Sequence, residues 1–189
     1  MPAMPALLAY ARAVERLLAL VGRIAGWLFI LNVVVICADV ITRKFGFQFP
    51  GMGSTRLQEL EWHFHMALFM LWLGLAYLRN GHVRIDVVVS RLSPRTTAWI
   101  ELAGLLVFAL PYCLVLINYG ADFAWKAWVS GEGSESATGL PWRWIAKSIM
   151  ELGLLLLLLA VTAMMARLAV FLFGPAALRE QARPPNIKA

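Results

Sequence analysis

The sequence predicts an all-α integral membrane protein of four transmembrane helices, led by an N-terminal amphipathic interfacial arm and with both termini in the cytoplasm. Three observations point there. Of the 189 residues, 61% are hydrophobic, against the roughly half that is usual in soluble domains, and mean hydropathy is +0.72. The charged residues, 15% of the chain, cluster between long apolar runs. Four of those runs suit a helix of about 20 residues, the length that crosses a hydrocarbon core of roughly 30 Å. Every connector is shorter than the ~50 residues of a small domain, so residues 1–189 read as a single four-helix membrane domain.

The arm covers residues 6–23. Leu7, Ala11, Val14 and Leu18 recur at helical intervals, and Arg12, Arg16 and Arg23 share one helix face. That pattern suits a helix lying in the cytoplasmic interface, with the three arginines as lipid-surface anchors. The alternative is a plain extension of the first span into the cytosol. A cleaved signal peptide fits less well, because the apolar run is long and ends in Asp39 and Arg43 without a small-residue cleavage site.

The first span covers 24–41. The second covers 57–78, with its apolar part beginning at Trp62. The third, 98–119, carries Pro111 at mid-depth, which removes a backbone hydrogen bond and predicts a kink. The fourth, 145–173, is apolar all round in places and is expected to face lipid along much of its length; the tail is 174–189.

Orientation follows from Lys and Arg. With four spans, eleven of them share the side of the termini: three in the arm, four in the connector after span two, and four at the end of span four and in the tail. Six fall opposite, which places the termini inside. On the outer side Trp125, Trp128, Trp142 and Trp144 bracket a Gly/Ser loop at 130–139, and Pro141 suits the first turn of the next helix. Tryptophans favour the headgroup level. A docking surface for an external protein is the sharper reading, with Trp128, Glu132, Glu135, Trp142 and Arg143 as its candidates.

Little here resembles a catalytic or cofactor site. A net charge of +6 with no basic stripe on a polar fold suits anionic lipid better than nucleic acid. Cys37 and Cys113 lie inside apolar runs and offer no metal spacing. His63 and His65 are two apart on one helix and His82 lies in a connector, a poor arrangement for haem or zinc, so neither metal nor cofactor is expected. Asp39 and Arg43, four apart, can pair on one helix face. Glu59 and Glu61 enter span two beside Trp62 and His63. These charges lie near span edges, where snorkelling and water relieve their cost. Broken helices, repeats and midplane polar sites, the marks of a secondary transporter, are not visible. The residues alone therefore describe a membrane subunit that supports a partner.

Four segments carry a resemblance: DVITRKF at 39–45, LQELEWHFH at 57–65, GLAYLRNGHVRIDVV at 74–88 and GLPWRWIAKSIMELG at 139–153. In this order the set resembles the small membrane subunit (Q-type, DctQ-like) of TRAP, tripartite ATP-independent periplasmic, transporters. One departure is that Glu151-Leu152-Gly153 stands where that pattern would carry a Pro just before the Gly of span four. The resemblance implies three partners in one system. A periplasmic substrate-binding protein delivers an organic acid, in the first place a carboxylate. A large membrane subunit moves it with sodium by an elevator motion. The small subunit packs on the large one as a fixed scaffold, in the inner membrane of a bacterium or archaeon, and is not an enzyme. Asp39, Arg43, Glu59, Glu61, Trp62, His63, Arg84 and Asp86 then become candidates for the subunit interface, with local pairing inside this chain the equal alternative for the charges. A membrane anchor of a redox complex and a small stand-alone exporter are the rival classes.

Overall fold

The computed structural model describes residues 3–81, 92–185 and 187. Among them all regular structure is helical: α1 Ala3–Phe45, α2 Ser54–Leu78, α3 Pro94–Gly104, a π-helical turn Leu105–Ala109, α4 Leu110–Val129, α5 Arg143–Phe173 and α6 Ala176–Ala182. Three stretches are long and apolar enough to cross a membrane: Met4–Phe45, Pro94–Val129 and Arg143–Phe173. α2 is helical where expected but less apolar, because Glu59, Glu61, His63 and His65 crowd its first half.

The arm expected over 6–23 is not a separate interfacial helix. It is the first part of α1, which at 43 residues is about 65 Å long. Nothing in 6–23 interrupts the ladder, and the apolar stripe has a protein partner instead of lipid. Leu8, Ala11, Val14 and Leu18 are all buried. α1 ends where Gly46 takes a left-handed φ of 70° and the Phe47 N–H reaches back to the Thr42 carbonyl, a glycine C-cap. Arg43 and Lys44 in the last turn complement the helix dipole.

The third helical stretch starts earlier than its apolar run. Ser93 caps it, its hydroxyl accepting from the Thr96 N–H at 3.2 Å, and Pro94 occupies the first turn. Pro111 leaves the helix unbroken, and the distortion is a π-turn just before it, where the Leu110 N–H bonds the Leu105 carbonyl five residues back. Widening the turn relieves the clash that a proline ring makes with the preceding turn. α4 ends in a second glycine cap, with Gly131 at φ 62° and the Glu132 N–H on the Ala127 carbonyl. Pro141 stands two residues ahead of α5 rather than in its first turn.

The fourth span, expected to face lipid along much of its length, is the most buried of the three apolar stretches. Half of its most apolar window is buried inside the chain, against 17% for α1 and 11% for Pro94–Val129. A helix apolar all round suits lipid and protein alike, but Gly153, Ala160, Ala163 and Ala166 let neighbouring backbones approach this one. All four are buried.

Contacts divide the chain into two compact units, and several helices contribute to both. The first comprises Met1–Leu20, Leu73–Val115 and Leu155–Ala189. Its core is mainly aliphatic, and it includes a cluster of Leu8, Val170 and Ala182. Polar ties reinforce it: Tyr10 with Thr162 at 2.7 Å, Arg12 with Gln181 at 2.8 Å, Glu15 with Arg167 at 2.5 Å, and Tyr77 with Glu101 at 2.8 Å. Gly74 lies so close to α5 that a Cβ there would be 2.8 Å from the Leu156 carbonyl.

The second unit comprises Val21–Trp72 and Leu116–Leu154. Here the core admits polar residues: Asn32, Asp39 and Thr42 are buried beside Leu57, Ala67 and Leu68. The Trp72 indole donates to the Gly22 carbonyl at 2.7 Å. The candidate site lies in this unit.

Candidate functional site

Asp39 has no exposed surface at all. A buried carboxylate is tolerated only where charge and hydrogen bonds meet it. Arg43, one turn on, pairs with one oxygen at 2.5 Å, and the Ser54 hydroxyl at the start of α2 donates to the other at 2.8 Å. Asp39 therefore closes the α1–α2 turn. Gly46 and Gly51, both at positive φ, shape that turn, and Phe47 and Phe49 stack edge-on within it. The pairing expected from the spacing of Asp39 and Arg43 is formed. Glu61 lies within Coulombic reach of both, and its Oε1 is buried without a hydrogen-bond partner among the described residues.

Glu59 faces the loop between α4 and α5 instead. Its carboxylate accepts the Leu140 N–H at 2.5 Å and the Ser134 hydroxyl. Arg56, one turn earlier, donates to the carbonyls of Thr138 at 3.2 Å, Gly139 at 3.3 Å and Gly51 at 2.6 Å. Thr138 donates to the Thr55 hydroxyl at 3.3 Å. The start of α2 thus grips residues 134–140. Gly139 is glycine because a Cβ there would run into the Ser134 side chain and come within 2.8 Å of a Glu59 oxygen.

The loop is also closed on itself. The Arg143 N–H bonds the Glu132 carbonyl at 2.9 Å, and the Ser134 N–H bonds the Leu140 carbonyl at 3.0 Å. Lys147 pairs with Glu132 at 2.5 Å and lies over the Phe123 ring at 3.6 Å. Trp142 holds φ at 62°, a left-handed conformation rare outside glycine, and leaves its ring largely exposed. Trp128 and Trp144 pack edge to face at 4.5 Å. Glu135 is 95% exposed, 3.9 Å from Arg143. Below the loop, a 260 Å³ groove is lined by Trp62, Met66, Phe123 and Met150 with the cations Arg143 and Lys147.

The structure brings together residues that spacing alone separates. Glu59, a candidate for a subunit interface, bonds Ser134 and Leu140 of the loop that carries the docking candidates Glu132 and Glu135. Trp62 is exposed, and His63 stacks on it at 3.8 Å and bonds the Glu59 carbonyl. Arg12 is engaged with Gln181, while Arg16 and Arg23 are exposed. Arg84 and Asp86 lie outside the described residues. Sequence reasoning missed Ser54, Arg56, Ser134 and Lys147 as partners, because their partners lie 15 to 83 residues away. It also passed over Glu151, whose Oε2 is buried without a hydrogen-bond partner among the described residues, close against Gly120. An acid inside an apolar run was the available signal.

The family model for the DctQ component of tripartite ATP-independent periplasmic transporters matches residues 32–171. The chain belongs to this family. It is a TRAP transporter small membrane subunit, a component of a transport system and not an enzyme family, and its family works with a large membrane subunit and a binding protein. The match begins within α1, past the Arg-bearing first turns, and covers both the Asp39 turn and the gripped loop. No curated protein and no solved structure matches the chain.

Proposed function

We propose that this TRAP small subunit is the static membrane scaffold of a sodium-coupled, binding-protein-dependent importer of an organic acid, in the first place a carboxylate. It crosses the inner membrane of a bacterium or archaeon four times, with α2 as the second span in chain order and both termini in the cytoplasm. Loop 130–142 then faces the periplasm and helps dock the loaded binding protein through Trp128, Glu132, Glu135, Trp142 and Arg143. Asp39, Arg43, Glu61, Trp62, His63, Arg84 and Asp86 are the candidates for holding the large subunit, with Glu59 acting through the loop. Arg12, Arg16 and Arg23 are candidates for contact with anionic lipid.

The observation that supports this reading best is the grip of α2 on the loop. Glu59 and Arg56 together make bonds to Ser134, Thr138, Gly139 and Leu140. A loop held in one shape loses less entropy when a partner binds it. A scaffold also has to stay fixed while a neighbouring domain moves, and long apolar helices with charged flanks supply that anchorage.

Reconstitution tests the division of labour. The chain alone in liposomes should move no substrate, with or without a sodium gradient. Uptake should need the large subunit and the loaded binding protein, and should stop when the sodium gradient is collapsed. Sodium-driven flux through the chain alone would refute the scaffold role.

A further inference from the structure

Within the first unit, the π-turn and the residues just after it form a face that the described residues leave exposed. Val107, Phe108, Tyr112 and Val115 are 53–74% exposed, and Pro111 is exposed with them. Tyr112 stands at the midpoint of the 36-residue stretch Pro94–Val129, about 27 Å from either end. Tyrosine in contact with lipid belongs at the headgroup level, where its hydroxyl meets water. Here the hydroxyl has no partner among the described residues.

A second polar group accompanies it. Pro111 carries no N–H. In an α-helical register it would serve the carbonyl of Val107, and in the π-register that Leu110 adopts, the carbonyl of Leu106. Either way, one carbonyl of this turn lacks its helical donor. Hydrocarbon offers nothing to a free carbonyl or a phenol, and each unmet group there is costly. Two such groups at mid-span, flanked by exposed apolar side chains, need a protein cover that hydrogen-bonds.

We infer that the Val107–Tyr112 face binds a transmembrane helix of the large subunit that presents a hydrogen-bonding side chain to the Tyr112 hydroxyl and the open carbonyl. The inference rests on the scaffold reading and adds to it the place of contact. Leu106, at 47% exposure, widens the apolar rim. Interhelical hydrogen bonds in membranes are modest, so removing the hydroxyl alone should weaken association about threefold.

The test uses the chain co-expressed with its cognate large subunit in native membranes. A benzophenone side chain placed at Phe108 should, on irradiation, form an adduct with the large subunit. The Tyr112→Phe complex should dissociate in detergent at a subunit concentration about threefold higher, while the isolated variant stays as helical and as monodisperse as wild type. Adducts only with lipid, or with a second copy of this chain, would overturn the inference while the wild-type pair still co-purifies. A Tyr112→Phe complex as tight as wild type would overturn its hydrogen-bond basis. If the wild-type pair does not co-purify at all, the scaffold reading itself fails, and this inference fails with it.

Discussion

Replacing Glu59 with alanine should release loop 130–142 while leaving the helices folded. The carboxylate accepts two bonds from the loop, from the Leu140 N–H and the Ser134 hydroxyl. A hydrogen bond to a charged group contributes about 1.5–3 kcal/mol. This site is only part-buried, so solvent compensates some of the loss, and about 2 kcal/mol for the pair is a reasonable total. That corresponds to a roughly 30-fold larger open fraction of the loop. Hydrogen exchange followed by mass spectrometry on the full chain in nanodiscs reads it directly, as faster exchange of the 134–140 amides. Ser134→Ala should give a part of the effect, and the double variant little more than Glu59→Ala, because the two side chains share one bond. In the assembled transporter, Glu59→Ala should also raise the binding-protein concentration needed for half-maximal uptake. Exchange of 134–140 within twofold of wild type would refute the Glu59 latch and leave the hold of α2 on the loop to Arg56 and Thr55.

The packing of α5 and the topology offer two further checks. Gly153→Val places a Cβ where an ideal one lies 2.6 Å from the Met70 Cβ and 2.8 Å from its carbonyl, so backbones must separate at a cost of about 1–3 kcal/mol or more; Gly104→Ala meets nothing within 4 Å and should be neutral or slightly stabilising. Thermal unfolding in nanodiscs compares them, and equal shifts would refute the close approach. In a chain with Cys37 and Cys113 replaced by serine, a membrane-impermeant thiol reagent applied to intact cells should label Ala137→Cys and spare Arg79→Cys. The opposite pattern would invert the assigned faces.

The ion pair of Asp39 and Arg43 was legible because its members are four apart on one helix, a spacing that any α-helix brings together. Glu59 was legible as a charge at a span edge but not as a loop latch. Its partners lie 75 and 81 residues away, and local pattern carries no information about which distant loop folds back. The arm misleads for a related reason. An apolar stripe with arginines on another face is the same pattern whether lipid or protein covers the stripe, and only the burial of Leu8, Ala11, Val14 and Leu18 distinguishes them.

The helical class, the apolar segments and the family were determined by the sequence itself, because hydrophobic length and short ordered motifs are properties of consecutive residues. Which helix becomes the core was decided by the tertiary structure. α5 and Pro94–Val129 have nearly the same mean hydropathy, 2.4 and 2.3, yet 50% of one window and 11% of the other are buried. Apolarity measures only what a helix avoids, and in a membrane both lipid and protein satisfy it. The difference comes from small residues: Gly153 faces Met70, while Gly74 and Ala160 allow α2 and α5 to approach closely. Backbone proximity of that kind depends on two helices at once, so it exists only once they have met.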